Sequence, residues 1–152
     1  MCKDYSNAKI YKLCSDKTNK IYIGSTTSSI KYRFLKHKQD YILYMNNFHK
    51  KIYSFDLFDA AGGFENCRVE LIHDFPCKSR QELDSEEGRL QLLHLDIIVN
   101  RNIAGRTSKQ YYQHNKQIIL DKKREYYKIK NEYIKTRQLA YYHRTKEASL
   151  CS

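Results

Sequence analysis

Apolar and polar positions alternate over residues 8–14, AKIYKLC, and again over residues 20–24, KIYIG. That two-residue period is the mark of a half-buried strand. Asp16-Lys17-Thr18-Asn19 lies between them and supplies turn-forming side chains, so the pattern predicts an antiparallel hairpin whose second strand ends at Gly24. The period then lengthens. Ser28 or Ser29 can cap a helix beginning near Ile30, with Ile30, Phe34, Leu35, Tyr41 and Ile42 at rough helical spacing. Arg33 and Lys36-His37 fall on the neighbouring faces, and Arg33 and His37 stand one turn apart. Residues 47–60 predict a second helix stopped by Gly62-Gly63, and residues 66–73 a third strand. After a break at Pro76, residues 79–96 predict a third helix with Leu83, Leu90, Leu93 and Leu95 among its apolar positions. The order β-β-α-α-β-α implies an α+β fold, a small mixed or antiparallel three-stranded sheet flanked by helices.

The pattern changes at Ala104-Gly105-Arg106-Thr107, dividing the chain into a domain over residues 1–106 and a tail over residues 107–152. The tail has no Gly or Pro and reads as one basic helix. Tyr111-Tyr112, Tyr126-Tyr127 and Tyr141-Tyr142 recur every fifteen residues, so successive pairs drift by about 60° around a helix axis. Such a helix closes no core of its own. Its tyrosines serve either as a packing stripe or, interleaved with Lys and Arg, as a surface that stacks bases and touches phosphates.

Composition sharpens the contrast. The 152 residues carry 28 Lys+Arg against 17 Asp+Glu, a formal charge of +11. Residues 1–106 hold +4 of it and the tail +7. A concentrated positive tail points to a polyanion, most commonly nucleic acid. Mean hydropathy is -0.79, and no run approaches the roughly 18 apolar residues of a spanning helix. The start lacks an apolar signal core. The expectation is an intracellular protein of cytoplasm or nucleus, without a membrane partner and favoured as a monomer. Five widely spaced cysteines, Cys2, Cys14, Cys67, Cys77 and Cys151, form no C-x-x-C pair and read as free thiols.

The hairpin carries a more specific pattern. Ile10-Tyr11 and, after ten residues, Tyr22-Ile23-Gly24 resemble the two-part signature of the GIY-YIG nuclease family, with Lys9 where the first Gly would stand. Arg33 and His37 in an R-x-x-x-H pattern, Glu87 in LDSEEGRLQLL and Asn100 in VNRNIAGRT follow in family order. The resemblance covers roughly residues 8–106. The junction VNRNIAGRTSKQYYQHNK is similar to that of virus-encoded or homing-type members, in which Tyr- and Lys-rich repeats follow the nuclease domain; for a viral protein the compartment would be the host cell.

The resemblance implies a DNA endonuclease that hydrolyses phosphodiester bonds with Mg²⁺ or Mn²⁺, nicking one strand per active site. Mg²⁺ takes oxygen ligands and keeps several waters, so one carboxylate suffices. Glu87 is that ligand by family pattern, with Glu86 the alternative. Arg33 offers a permanently charged fork to the scissile phosphate. Tyr11 is implied as general base, its phenolate favoured by Lys9, Lys12, Arg33 and the metal, and Tyr22 as the group that orients water or phosphate across the hairpin from it. His37 either contacts phosphate or relays a proton, or is a half-exposed helix histidine. Asn100, rather than Asn102, would position the metal shell or the backbone beneath it. Lys9 and Lys36, with Arg106, Lys109, Lys116, Lys122, Lys123, Arg124, Lys128 and Lys130 in and before the tail, are the candidate nucleic-acid contacts. Two other functions remain open: a non-catalytic nucleic-acid-binding module on the same fold, and a protein-interaction role for the tail.

Overall fold

The computed structural model describes residues 4–150, with side chains as far as His143 and that of Lys146; Cys2 and Cys151 lie outside the described residues. Strand β1 (Lys9–Ser15) and strand β2 (Thr18–Thr26) form the hairpin. Helix α1 (Ile30–Met45) and helix α2 (Ser54–Ala60) follow, then a 3₁₀ turn at Phe64–Asn66 and strand β3 (Cys67–Asp74). Helix α3 (Arg80–Leu93) and helix α4 (Ser108–Leu150) complete the chain. The fold is α+β. The sheet is wholly antiparallel, in the order β2-β1-β3. Contacts divide the chain into two compact units on either side of Arg106 and Thr107.

Alternation along β1 divides the core of the first unit between the two faces of the sheet. Tyr11 and Leu13 lie with Phe55, Leu57 and Phe58 of α2, and Phe34, Tyr41 and Tyr44 of α1 pack against them. Ile10 and Ile23 lie on the other face with Leu83 and Leu90 of α3. Cys14, Cys67 and Cys77 are free thiols, the first two buried. Among the described residues no helix is long and apolar enough to cross a membrane.

Local chemistry moves several expected boundaries. β2 begins at Thr18, leaving only Asp16 and Lys17 outside the strands. Ser29 is the cap of α1, its hydroxyl accepting the Tyr32 N–H. α1 is turned so that Ile30, Phe34, Tyr41 and Tyr44 pack inward while Leu35 and Ile42 are exposed; its one buried residue is His37. Residues 47–53 are not helical. Asn47 takes φ 62, the Phe48 N–H bonds the Leu43 carbonyl and the Asn47 N–H that of Tyr44, a Schellman stop with Asn in the usual glycine place. Gly62, at φ 74, ends α2 by the same pair of bonds, from Gly63 to Phe58 and from Gly62 to Asp59. α3 starts at the Ser79 cap and stops at Leu93, so Leu95 lies beyond it, and Leu93 is exposed.

Residues 97–100 return beside β2. Ile98 makes a parallel bridge to Ile21, the Ile21 N–H bonds Ile97 and the Val99 N–H bonds Ile21. The following turn lies against α3, where a Cβ on Gly88 would stand 2.1 Å from the Ala104 carbonyl oxygen. At an ordinary helix position Gly→Ala gains about 1 kcal/mol. Here the sign should reverse: Gly88→Ala is expected to lower stability by about 1–3 kcal/mol through overpacking, measured as a fall in the urea midpoint at unchanged m-value.

Candidate active site

Four sequence-predicted residues converge on the sheet face covered by α1 and α2. Tyr11 pairs across the hairpin with Gly24, and Tyr22 with Leu13. The two tyrosines therefore share a face but lie diagonally, not opposite each other. Gly24 is the reason both rings fit: a Cβ there would stand 2.8 Å from the Tyr11 hydroxyl and 3.0 Å from a ring carbon of Tyr22.

The Tyr11 hydroxyl is wholly buried and doubly bonded. Arg33 Nε donates to it at 3.2 Å, and His37 Nε2 lies 2.8 Å from it. His37 Nδ1 is in turn 3.0 Å from Ser54 Oγ at the start of α2, and Ser54 is also fully buried. One proton arrangement satisfies every group. Tyr11 accepts from Arg33 and donates to His37 Nε2, and His37 Nδ1–H donates to Ser54. The Tyr22 ring meets the His37 ring edge-on, with centroids 5.3 Å apart.

Burial decides the charge states. It pushes the His37 pKa down to about 3, helped by the Arg33 charge, so the ring is neutral. The Tyr11 hydroxyl is raised by burial and by Tyr22 against the pull of Arg33. Burial and the Glu87 charge push Tyr22 up to about 12. Tyr11 is therefore a neutral phenol and not a standing phenolate. Lys9 and Lys12 do not supply the positive charge expected of them: Lys9 pairs with Asp74 at 2.6 Å and Lys12 with Glu70 at 2.9 Å. His37 is neither half-exposed nor open to phosphate.

Glu86 and Glu87 part company on α3. Glu86 holds Arg89 through both its oxygens and faces His73 at 3.2 Å. Glu87 turns toward β2, and its charge acts on both Tyr11 and Tyr22. Burial raises its pKa, opposed by Ser25, Arg80 and Gln91. Gln91, itself buried, donates to Glu87 at 2.9 Å and accepts the Ala104 N–H at 2.8 Å. Ser25 Oγ lies buried beside this carboxylate without a well-formed hydrogen bond. Asn100 faces the backbone: its side-chain amide accepts the Ile23 N–H at 3.0 Å and donates to the Ile23 carbonyl at 2.8 Å. Each polar atom thus makes one hydrogen bond to β2, the arrangement of the backbone role. Asn102 instead donates to the Tyr53 hydroxyl.

Among the described residues no group of three or more His, Cys, Asp or Glu side chains is placed to hold a metal. One buried carboxylate with the Ser25 hydroxyl beside it does suit a hard cation that keeps most of its water. Ser54, Gln91 and Ser25 carried no signal in the sequence, since each is an ordinary polar residue until the fold buries it. Of the predicted nucleic-acid contacts, Lys36 is exposed and lies over the Tyr32 ring, Lys9 is ion-paired, Arg106 precedes α4, and the remaining seven lie on α4. No protein-family model, curated protein or solved structure matches the chain.

The neutral His37 makes stability depend on acid. Its folded pKa lies below the unfolded value near 6.5, so its contribution is complete above pH 6.5 and is lost as pH falls from there toward about 3. Over that window the unfolding free energy should fall with a component approaching 1.4 kcal/mol per pH unit, about the value of one proton. His37→Gln should remove that component. Identical slopes in the two proteins, measured by urea unfolding across the window, would show that His37 is not held neutral.

Proposed function

We propose that the first unit is a metal-dependent DNA endonuclease that hydrolyses phosphodiester bonds, one strand per site, with the basic tail holding the DNA. The GIY-YIG resemblance suggests this reading. The observation that carries it is the linked chain Arg33–Tyr11–His37–Ser54, with both tyrosines feeling the charge of Glu87 from α3, the helix packed on the opposite face of the sheet.

Glu87 and Ser25 would hold Mg²⁺ or Mn²⁺, which supplies charge neutralisation at the phosphate when bound. Gln91 sets the carboxylate by donating to it. Arg33 spends only Nε on Tyr11, and its terminal nitrogens make no hydrogen bond among the described residues, leaving them for a phosphate oxygen. Tyr11 is the general base in a coupled transfer: its oxygen takes a proton from water as its own passes to His37 Nε2. Burial is the main cause of the low basicity of His37; a bound phosphate would offset the smaller contribution of the Arg33 charge. Asn100 and Gly24 act through the backbone, keeping β2 in register beneath the two tyrosines.

The complete burial of Tyr11 favours a second reading, a nucleic-acid-binding module in which this chain only braces the fold. Cleavage separates the two. Purified protein should nick supercoiled plasmid with Mg²⁺ and stop with EDTA. Glu87→Gln and Arg33→Ala should each reduce nicking by at least about 100-fold, the scale of a lost electrostatic stabiliser, while Glu86→Gln stays within several-fold of the parent. Undiminished nicking by Glu87→Gln would overturn the site; salt-dependent binding without nicking of any substrate would establish the second reading.

A further inference from the structure

We infer that α4 carries a binding site for single-stranded nucleic acid along one of its faces, built from cations and aromatic rings in alternation. The inference rests on the tail-as-DNA-holder part of the proposed function and narrows it to one face and to unpaired strand; it does not depend on cleavage.

Because α4 is one continuous helix, its residues can be placed around a single axis. Lys109, Lys116, Lys123, Lys130 and Arg137 recur every seventh residue. Three and four residues after successive cations stand Ile119-Leu120, Tyr126-Tyr127 and Tyr133-Ile134; Tyr112 and Tyr141 continue the series at either end. Offsets of three, four and seven all return to one face. The result is one row, cation then apolar or aromatic group, repeating at about 10.5 Å and drifting by about 20° per repeat. The row is open: Tyr126, Tyr127 and Tyr133 are 59%, 57% and 67% exposed. Lys130 lies over the Tyr126 ring.

Charge is segregated about this row. Asp121, Glu125 and Glu132 all fall on the opposite side of the helix. There they meet other cations, Arg124 with Asp121 at 3.0 Å and Lys135 with Glu132 at 4.0 Å. None of the five row cations is ion-paired among the described residues. This face therefore suits an anionic occupant. A second copy docked through this face would set like charges together at every repeat. A lipid surface wants lysines flanking a clear apolar face, whereas here they sit in its midline. Duplex DNA keeps its bases stacked and shows only their edges. A single strand presents bare base faces and phosphates together, and stacking on aromatics with Lys or Arg on the backbone is how such strands are held.

Binding of the full chain to a fluorescent oligothymidylate and to a duplex of equal length, measured by anisotropy in EDTA, tests the inference. Two triple variants remove equal charge: Lys116→Gln, Lys123→Gln and Lys130→Gln on the row, and Lys17→Gln, Lys20→Gln and Lys135→Gln off it. The row variant should lower the slope of log affinity against log salt by about 2, roughly 0.7 per cation, and the other should change it little. Tyr126→Leu with Tyr127→Leu keeps apolar bulk and helix propensity yet should weaken oligothymidylate binding about 10-fold or more. Equal losses in the two triple variants, no loss on Tyr→Leu, or tighter binding to duplex would overturn the face while leaving the tail as a nucleic-acid holder. Absence of binding to either nucleic acid would remove that broader reading as well.

Discussion

The Tyr11 hydroxyl is the polar group around which the first unit is arranged. A phenol at the centre of a sheet must be hydrogen-bonded or it opposes folding. β1 puts it there; α1 turns Arg33 and His37 inward to meet it, and α2 begins with Ser54 to satisfy the far side of the histidine. Gly24 gives up a side chain so that the hydroxyl end of the ring can approach β2. These residues come from four elements, and each is placed by the need to complete the same network. The apolar ring of Phe55, Phe58 and Tyr41 beside it supplies the low dielectric that makes every bond in the network stronger and every omission more costly.

Charge that composition attributes to the whole chain is differently disposed once the fold is known. On the sheet, Lys9, Lys12 and Arg68 are bound to Asp74, Glu70 and Asp16. Arg33 is committed to a tyrosine through one nitrogen only. A count of cations therefore overstates what the first unit offers to a polyanion and conceals that one guanidinium is held in a fixed orientation.

How much was readable follows from which signals are local. The hairpin, the serine cap of α1 and the glycine stop of α2 are set by adjacent residues and are legible. The phase of α1 is not, because its inner face carries Arg33 and His37, and a pattern of apolar residues alone turns the helix toward Leu35 and Ile42. Asn47 hid the break between α1 and α2, since nothing in the sequence distinguishes a left-handed asparagine from a helical one. Tyr11, Tyr22, Arg33, His37 and Glu87 could be named as a pattern; the diagonal tyrosines, the neutral histidine and the separation of Glu86 from Glu87 required the register and the helix faces. In the tail the conspicuous Tyr pairs suggested a period of fifteen, while the cations follow seven.

Asn100 has one more effect. β2 is an edge strand, and its outward peptide groups at Ile21 and Ile23 are taken up by residues 97–99 and by a single carboxamide. A bare ladder at that margin would template a strand from another molecule. With these positions occupied, an incoming chain finds no donors or acceptors to read at Ile21 and Ile23, and the sheet is protected there from growing sideways into an aggregate.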